Sequence, residues 1–136
     1  MRLSLRKTAG KTGLHIFVPI VRNVVFAAAR QMCETLGRHL MQEHPDAITM
    51  EWSTAKRTGK IFIDSNMNVR SKTLNCAYSP RGLPGAPVSM PLTWDELANA
   101  HPMDFRMWNV FERLERQGDV WQDAIALKTD LHRIFK

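Results

Sequence analysis

The feature that most restricts what this chain can fold into is one helical apolar period set between runs of β type. Phe26, Ala29, Cys33, Leu36 and Leu40 recur at three- and four-residue spacing, so residues 24–42 are expected to form an amphipathic helix. Asn23 can cap its start, and His44-Pro45 ends it because the residue before a proline is pushed out of the helical region. Ahead of the helix, Leu14-His15-Ile16-Phe17-Val18-Pro19-Ile20 is β-branched and aromatic, follows Gly10 and Gly13, and reads as a buried strand. Behind it, Ala47 to Trp52 and Lys60 to Asp64 read as two further strands, joined by the basic connector Lys56-Arg57-Thr58-Gly59-Lys60. The order strand, helix, strand, strand implies an α/β (α+β) unit: a small sheet with flanking helices.

Downstream the pattern changes. Residues 65–91 are rich in Asn, Ser, Gly and Pro and lack helical periodicity, so an extended, loop-rich segment is expected. Thr93-Trp94-Asp95-Glu96 is a capping box for a short helix. Asn109 to Gln117 reads as a helix stopped by Gly118, and Asp119 to Phe135 as the last one, with Val120, Ala124, Leu127, Leu131 and Ile134 on its inner face. Trp94, Phe105, Trp108, Phe111 and Trp121 are expected in the core of this helical part. With 136 residues, one domain is expected, a basic sheet portion over 1–92 and a helical portion over 93–136.

Charge is distributed unevenly. The net charge is +6, but residues 1–81 carry thirteen Lys/Arg against five Asp/Glu, whereas residues 82–136 carry six against eight. A basic segment of this kind suits phosphates or nucleic acid, or is simply a solvated surface. Cys33 and Cys76 lie far apart without a CxxC spacing, which argues against a zinc site or a disulfide framework. No apolar run reaches the roughly 20 residues that span a bilayer, and Met1 to Lys7 lacks the apolar stretch of a secretory signal. A reduced, cytoplasmic protein with no membrane partner is expected.

Three features could carry chemistry. Lys7-Thr8-Ala9-Gly10-Lys11-Thr12-Gly13 runs into a strand bearing His15; its glycines let backbone approach a ligand, and Lys11 adds charge. The segment is not a Walker loop, since it precedes a strand rather than opening a helix. It is either a phosphate-binding turn or a plain turn before an edge strand, and His15 either a ligand contact or a hydrogen-bonded core histidine. Asp64 closes an apolar strand and is flanked by Arg57, Lys60 and Arg70, which suits a divalent-metal ligand, a turn or a salt bridge. Arg57, Arg70, Lys72 and Arg81, interleaved with Asn66, Asn68, Thr73, Tyr78 and Ser79, suit a triphosphate or a strand backbone, or form a basic surface loop.

In register, these residues resemble the primase-polymerase domain of bacterial and archaeal end-joining ligase D, a branch of the archaeo-eukaryotic primase superfamily. Gly10 to Pro19 resembles the family's second motif, and Glu43-His44-Pro45-Asp46 with Thr49-Met50-Glu51 its next stretch. Lys56 to Asp64 resembles the third motif, and Asn68, Arg70, Thr73, Tyr78-Ser79, Arg81 and Pro84 to Leu97 follow in order. The resemblance implies template-directed nucleotidyl transfer in end-joining DNA repair, with Mg²⁺ or Mn²⁺ as cofactor and a nucleoside triphosphate (NTP or dNTP) as substrate. It implies that Asp64 is a catalytic metal carboxylate and that Lys11, His15, Arg57 and Arg81 face the nucleotide. Lys56, Lys60, Asn68, Arg70 and Lys72 become candidates for contact with DNA, whether primer-template or broken ends, and the location nucleoid-associated.

Departures from the family pattern qualify that expectation. Ala9 stands where the family usually has a serine, and Ser65 follows Asp64 where an aromatic is usual. The paired acids of the family's first motif are absent: no Asp-x-Asp occurs in the chain. The resemblance therefore covers the C-terminal part of the catalytic domain, without two of its three metal carboxylates. One reading is a subunit of a split polymerase, completed by a partner chain with the missing half or by a second copy; ligase and Ku end-binding proteins are further expected partners. The alternative is a non-catalytic nucleotide- or DNA-binding module, or a remnant. An incomplete sheet should expose an edge or face that promotes dimerisation or partner binding.

Overall fold

The computed structural model describes residues 4–124 and 126–131. Its strands and helices, in chain order, are β1 (Leu5–Thr8), β2 (Leu14–Phe17), α1 (Phe26–Glu43), β3 (Ile48–Thr49), β4 (Ile61–Phe62), β5 (Pro91–Leu92) and α2 (Val110–Gln117). They fall into two compact units: Asn23–Thr73 forms one, and the residues up to Arg22 together with those from Leu74 onward form the other.

The helical unit follows the expected period. α1 is led by Val25 without a side-chain cap, and the amide of His44 closes its last turn on the Leu40 carbonyl. β3 and β4 pair in parallel, Ile48 opposite Ile61 and Thr49 opposite Phe62. Gly37 lets α1 approach the strands closely: a Cβ there would lie 2.9 Å from Met50 Sδ and 3.2 Å from Ile63 Cγ2.

The sheet unit is antiparallel, in the order β2-β1-β5. β1 and β2 form a hairpin with Leu5 opposite Phe17, Arg6 opposite Ile16, Lys7 opposite His15 and Thr8 opposite Leu14. The Ala9 amide donates to the Gly13 carbonyl at 2.8 Å and closes it. On the other side of β1, Arg6 and Lys7 face Leu92 and Pro91. Thr8 extends the pairing: its amide donates to the Met90 carbonyl, while its hydroxyl donates to the Val88 carbonyl and accepts from the Met90 amide. The core is Val88, Met90, Leu92 and Val110, with Tyr78, Leu97, Ala100, Phe105 and Leu114 packed on it.

Several expectations are corrected. The segment read as loop over 65–91 contributes Val88 and Met90 to the core and, at Pro91, the start of β5. Leu14 to Ile20 is not a buried strand throughout, because Leu14, Ile16 and Val18 are exposed. No helix follows the capping box at Thr93; residues 94–99 form turns. The last helix does not form among the described residues from Asp119 to Leu131, which are mainly turns. The Asp119 carboxylate accepts from the Trp121 amide, and Thr129 instead bridges to the backbone of Pro19 and Val21. Ile134 lies outside the described residues. Trp108 and Phe111 are 70% and 71% exposed, so they are not core residues.

Candidate nucleotide site

In the sheet unit the hairpin register decides which side chains share a face. Directly opposed residues of antiparallel strands project to the same side, so Lys7 and His15 do so, and Phe17 is on the same face of β2 as His15. The His15 and Phe17 rings meet edge to face at 6.2 Å, and Phe17 meets Trp121 likewise at 5.4 Å. Lys11 is exposed in the turn that joins the strands. Gly10, in the same turn, has φ +75°, and a Cβ there would sit 2.6 Å from Arg81 Cγ. Only glycine combines that backbone with that approach, so the turn and Arg81 are packed together. The Arg81 amide donates to the Pro87 carbonyl at 2.8 Å.

The arrangement also brings in Lys7, which had not been singled out from the sequence. It is 1% exposed, its ammonium donates to the Ser89 hydroxyl, and it lies 5.9 Å from the Phe17 ring centroid. Burial lowers its pKa; the neighbouring Cys76 opposes that shift and the Arg81 charge adds to it. The signal that could have found it is alternation: Lys7 and Leu5 share a strand face, and Ser89 stands between Val88 and Met90 in a period-two run reaching Leu92.

The other candidates lie in the helical unit. Arg57 places its guanidinium 4.1 Å over the Phe62 ring, and Phe62 meets Trp52 edge to face at 5.2 Å. Lys56 is exposed at the end of a short 3-10 turn, and exposed Lys60 donates to the Pro45 carbonyl at 2.6 Å. Asn68 donates to Cys33 Sγ at 3.0 Å; Arg70 and Lys72 are exposed. A groove of about 490 Å³ is lined by Arg30, Glu34, Arg38, Thr49, Trp52 and Asn66, among others.

Asp64 is exposed, and its Oδ1 accepts from the Asn66 amide at 2.9 Å. No group of three or more His, Cys, Asp or Glu side chains able to hold a metal ion occurs among the described residues. A two-metal centre needs several carboxylates around a pair of ions about 4 Å apart. Asp64 fits as one ligand of such a centre, and the described residues do not by themselves fit the whole. Nor is any helix among the described residues long and apolar enough to cross a membrane.

Residues 3–121 match the family described as LigD, primase-polymerase domain. The chain is 33% identical over 113 residues to the multifunctional non-homologous end joining protein LigD of Mycolicibacterium smegmatis, covering 83% of this chain and 15% of that protein. The corresponding protein of Mycobacterium bovis is 32% identical over 125 residues, covering 90% of this chain and 16% of its own length. Among solved structures, the polymerase domain from Mycobacterium tuberculosis ligase D in complex with DNA matches with a TM-score of 0.82 and 29% identity. That match covers 90% of this chain and 43% of the solved one, so the chain spans less than half of the polymerase domain to which it is similar. By sequence and by fold, the chain belongs to the LigD primase-polymerase domain family.

Proposed function

We propose that this chain supplies the nucleotide-binding portion of a LigD-type polymerase, which adds nucleotides to DNA ends in a templated manner during non-homologous end joining. The observation that carries this reading is the Gly10 turn packed on Arg81 beside the strand face of Lys7 and His15, in a chain of this family. Phosphoryl transfer rests mainly on positioning and on neutralising the triphosphate, the work that Lys11, His15, Arg57 and Arg81 are suited to do. Asp64 contributes one carboxylate towards a divalent ion, Mg²⁺ or Mn²⁺, whose other ligands come from another polypeptide segment. Lys56, Lys60, Asn68, Arg70 and Lys72 lie along the DNA, and the chain acts at broken ends on the nucleoid, with ligase and Ku-type proteins. A second reading, a non-catalytic nucleotide- or DNA-binding module, is favoured by the absence, among the described residues, of a group of three or more metal-ligating side chains.

The test is primer extension on a gapped, 5′-phosphorylated DNA template with Mn²⁺, comparing the wild type with Asp64→Ala, alongside binding of ATP and DNA. We expect binding without extension by the isolated chain. Extension that disappears in Asp64→Ala would mean a complete site, with acids shared between copies. Absence of both extension and binding would overturn the proposal.

A further inference from the structure

Lys7 poses an electrostatic problem that the described residues do not solve. Its ammonium is inside the sheet unit, yet the groups it meets among the described residues, the Ser89 hydroxyl and the face of the Phe17 ring, are neutral. No carboxylate pairs with it among the described residues, and Arg81 is a nearby like charge. Desolvating an ammonium costs far more than one neutral hydroxyl returns, so a buried cation of this kind is stabilised when an anion sits within its field. The groups around it are His15 on β2, with Cys76 and Arg81 in the segment before β5. Tyr78, whose amide donates to the Ser89 carbonyl, is engaged through its hydroxyl with Asp119.

We propose that Lys7 is a positioning residue of the nucleotide-phosphate site: from within the sheet it fixes Ser89 and supplies the constant positive charge against which a polyphosphate settles on the Gly10 turn. The inference rests on the proposed nucleotide-binding function and deepens it. Ser89 completes the device, because its hydroxyl accepts from Lys7 while donating to the Thr8 carbonyl at 2.8 Å. The Lys7 charge is thereby tied to the end of β1, immediately before the turn. Lys11 is exposed at the turn on a four-carbon stem, whereas Lys7 is held against Ser89, so its field is already oriented when the ligand arrives.

The experiment is equilibrium binding of ATP and of inorganic tripolyphosphate to the full chain by calorimetry. It is run from about pH 6 to about pH 10, a range spanning the histidine, cysteine and lysine titrations. Cys76→Ser serves as background, to remove the neighbouring thiol, and Lys7→Met and Lys7→Arg are compared in it. Affinity should fall as pH rises through the lowered pKa of Lys7, because the charged form is the one that attracts phosphate. Lys7→Met should bind roughly tenfold more weakly, the scale of one charge interaction lost, and without that pH step. Lys7→Arg should restore affinity, also without the step. Ser89→Ala provides a second test should Lys7→Met fail to fold: it should weaken tripolyphosphate binding while leaving the pH step. Equal binding by wild type and Lys7→Met, or the same pH step in both, would overturn the inference and leave the nucleotide function standing. If Lys7→Met does not fold, unchanged tripolyphosphate binding by Ser89→Ala would overturn it in the same way. No binding by the wild type at any pH would remove the function and the inference together.

Discussion

Glu96 accepts hydrogen bonds from both the amide and the hydroxyl of Thr93, at 2.7 and 3.0 Å, and forms an ion pair with Arg113 at 2.5 Å. Burial alone would raise its carboxyl, but the bonds from Arg113 and Thr93 and the Arg113 charge outweigh it and hold the pKa at about 2. A folded-state pKa below the usual 4.5 means the contribution is fully present above 4.5 and is lost as pH falls towards 2. Allowing for the partial exposure of the pair, that contribution is about 2 kcal/mol at neutral pH. Glu96→Gln should therefore lower stability by about 2 kcal/mol at pH 7 and flatten the acid limb of the stability curve. Denaturant melts between about pH 2 and about pH 7 measure this, and equal acid sensitivity in both proteins would contradict it. The same residue shows why the capping box misled: the Thr93 amide donates to Glu96 as expected, but the Thr93 hydroxyl donates to that carboxylate too, Glu96 also serves Arg113, and residues 94–99 remain turns.

Elements built from local signals were legible. α1 lies within two residues of its expected bounds, and α2 stops at Gly118, whose φ is +71°. The Val88–Leu92 segment that ends in β5 was hidden because its partner, β1, is some eighty residues away, and because Pro91 and the neighbouring glycine and prolines read as loop. Residues 119–131 failed in the opposite way: a 3.6-residue pattern was present, yet the Asp119 carboxylate and the Thr129 backbone are engaged in other bonds. These differences predict where truncation hurts. Met90→Ala removes a buried side chain beneath the sheet and should cost about 2–4 kcal/mol. Leu127→Ala, at an exposed position, should change stability by less than about 0.5 kcal/mol. Comparable losses at the two sites in thermal unfolding would show that the terminal segment packs as the sequence pattern suggests. Of the candidate site, the turn, His15 and Arg81 were readable as motif residues. Lys7 was not, because only the register and Ser89 give it a setting.

At the scale of the molecule, β2 is the outer strand of its sheet; it carries Leu14 and Ile16, the latter 60% exposed, and Val18 just beyond its end extends the exposed apolar row. Rows of this kind on an outer strand favour association with another chain. The chain should therefore self-associate at high concentration, and Ile16→Lys should shift it to monomer, as read by light scattering. A monomer at every concentration would count against an interface on this strand.

The discontinuity of the sheet unit also has a kinetic side. Its two chain segments flank Asn23–Thr73, so β1 is synthesised well before β5 and waits for it before it can pair on its second side. The helical unit, by contrast, has all its residues in one stretch. Closing so long a loop delays the reward for the entropy spent, so the helical unit should become protected from amide exchange before the sheet does. The β1–β5 pairing would then be among the last parts of the protein to form.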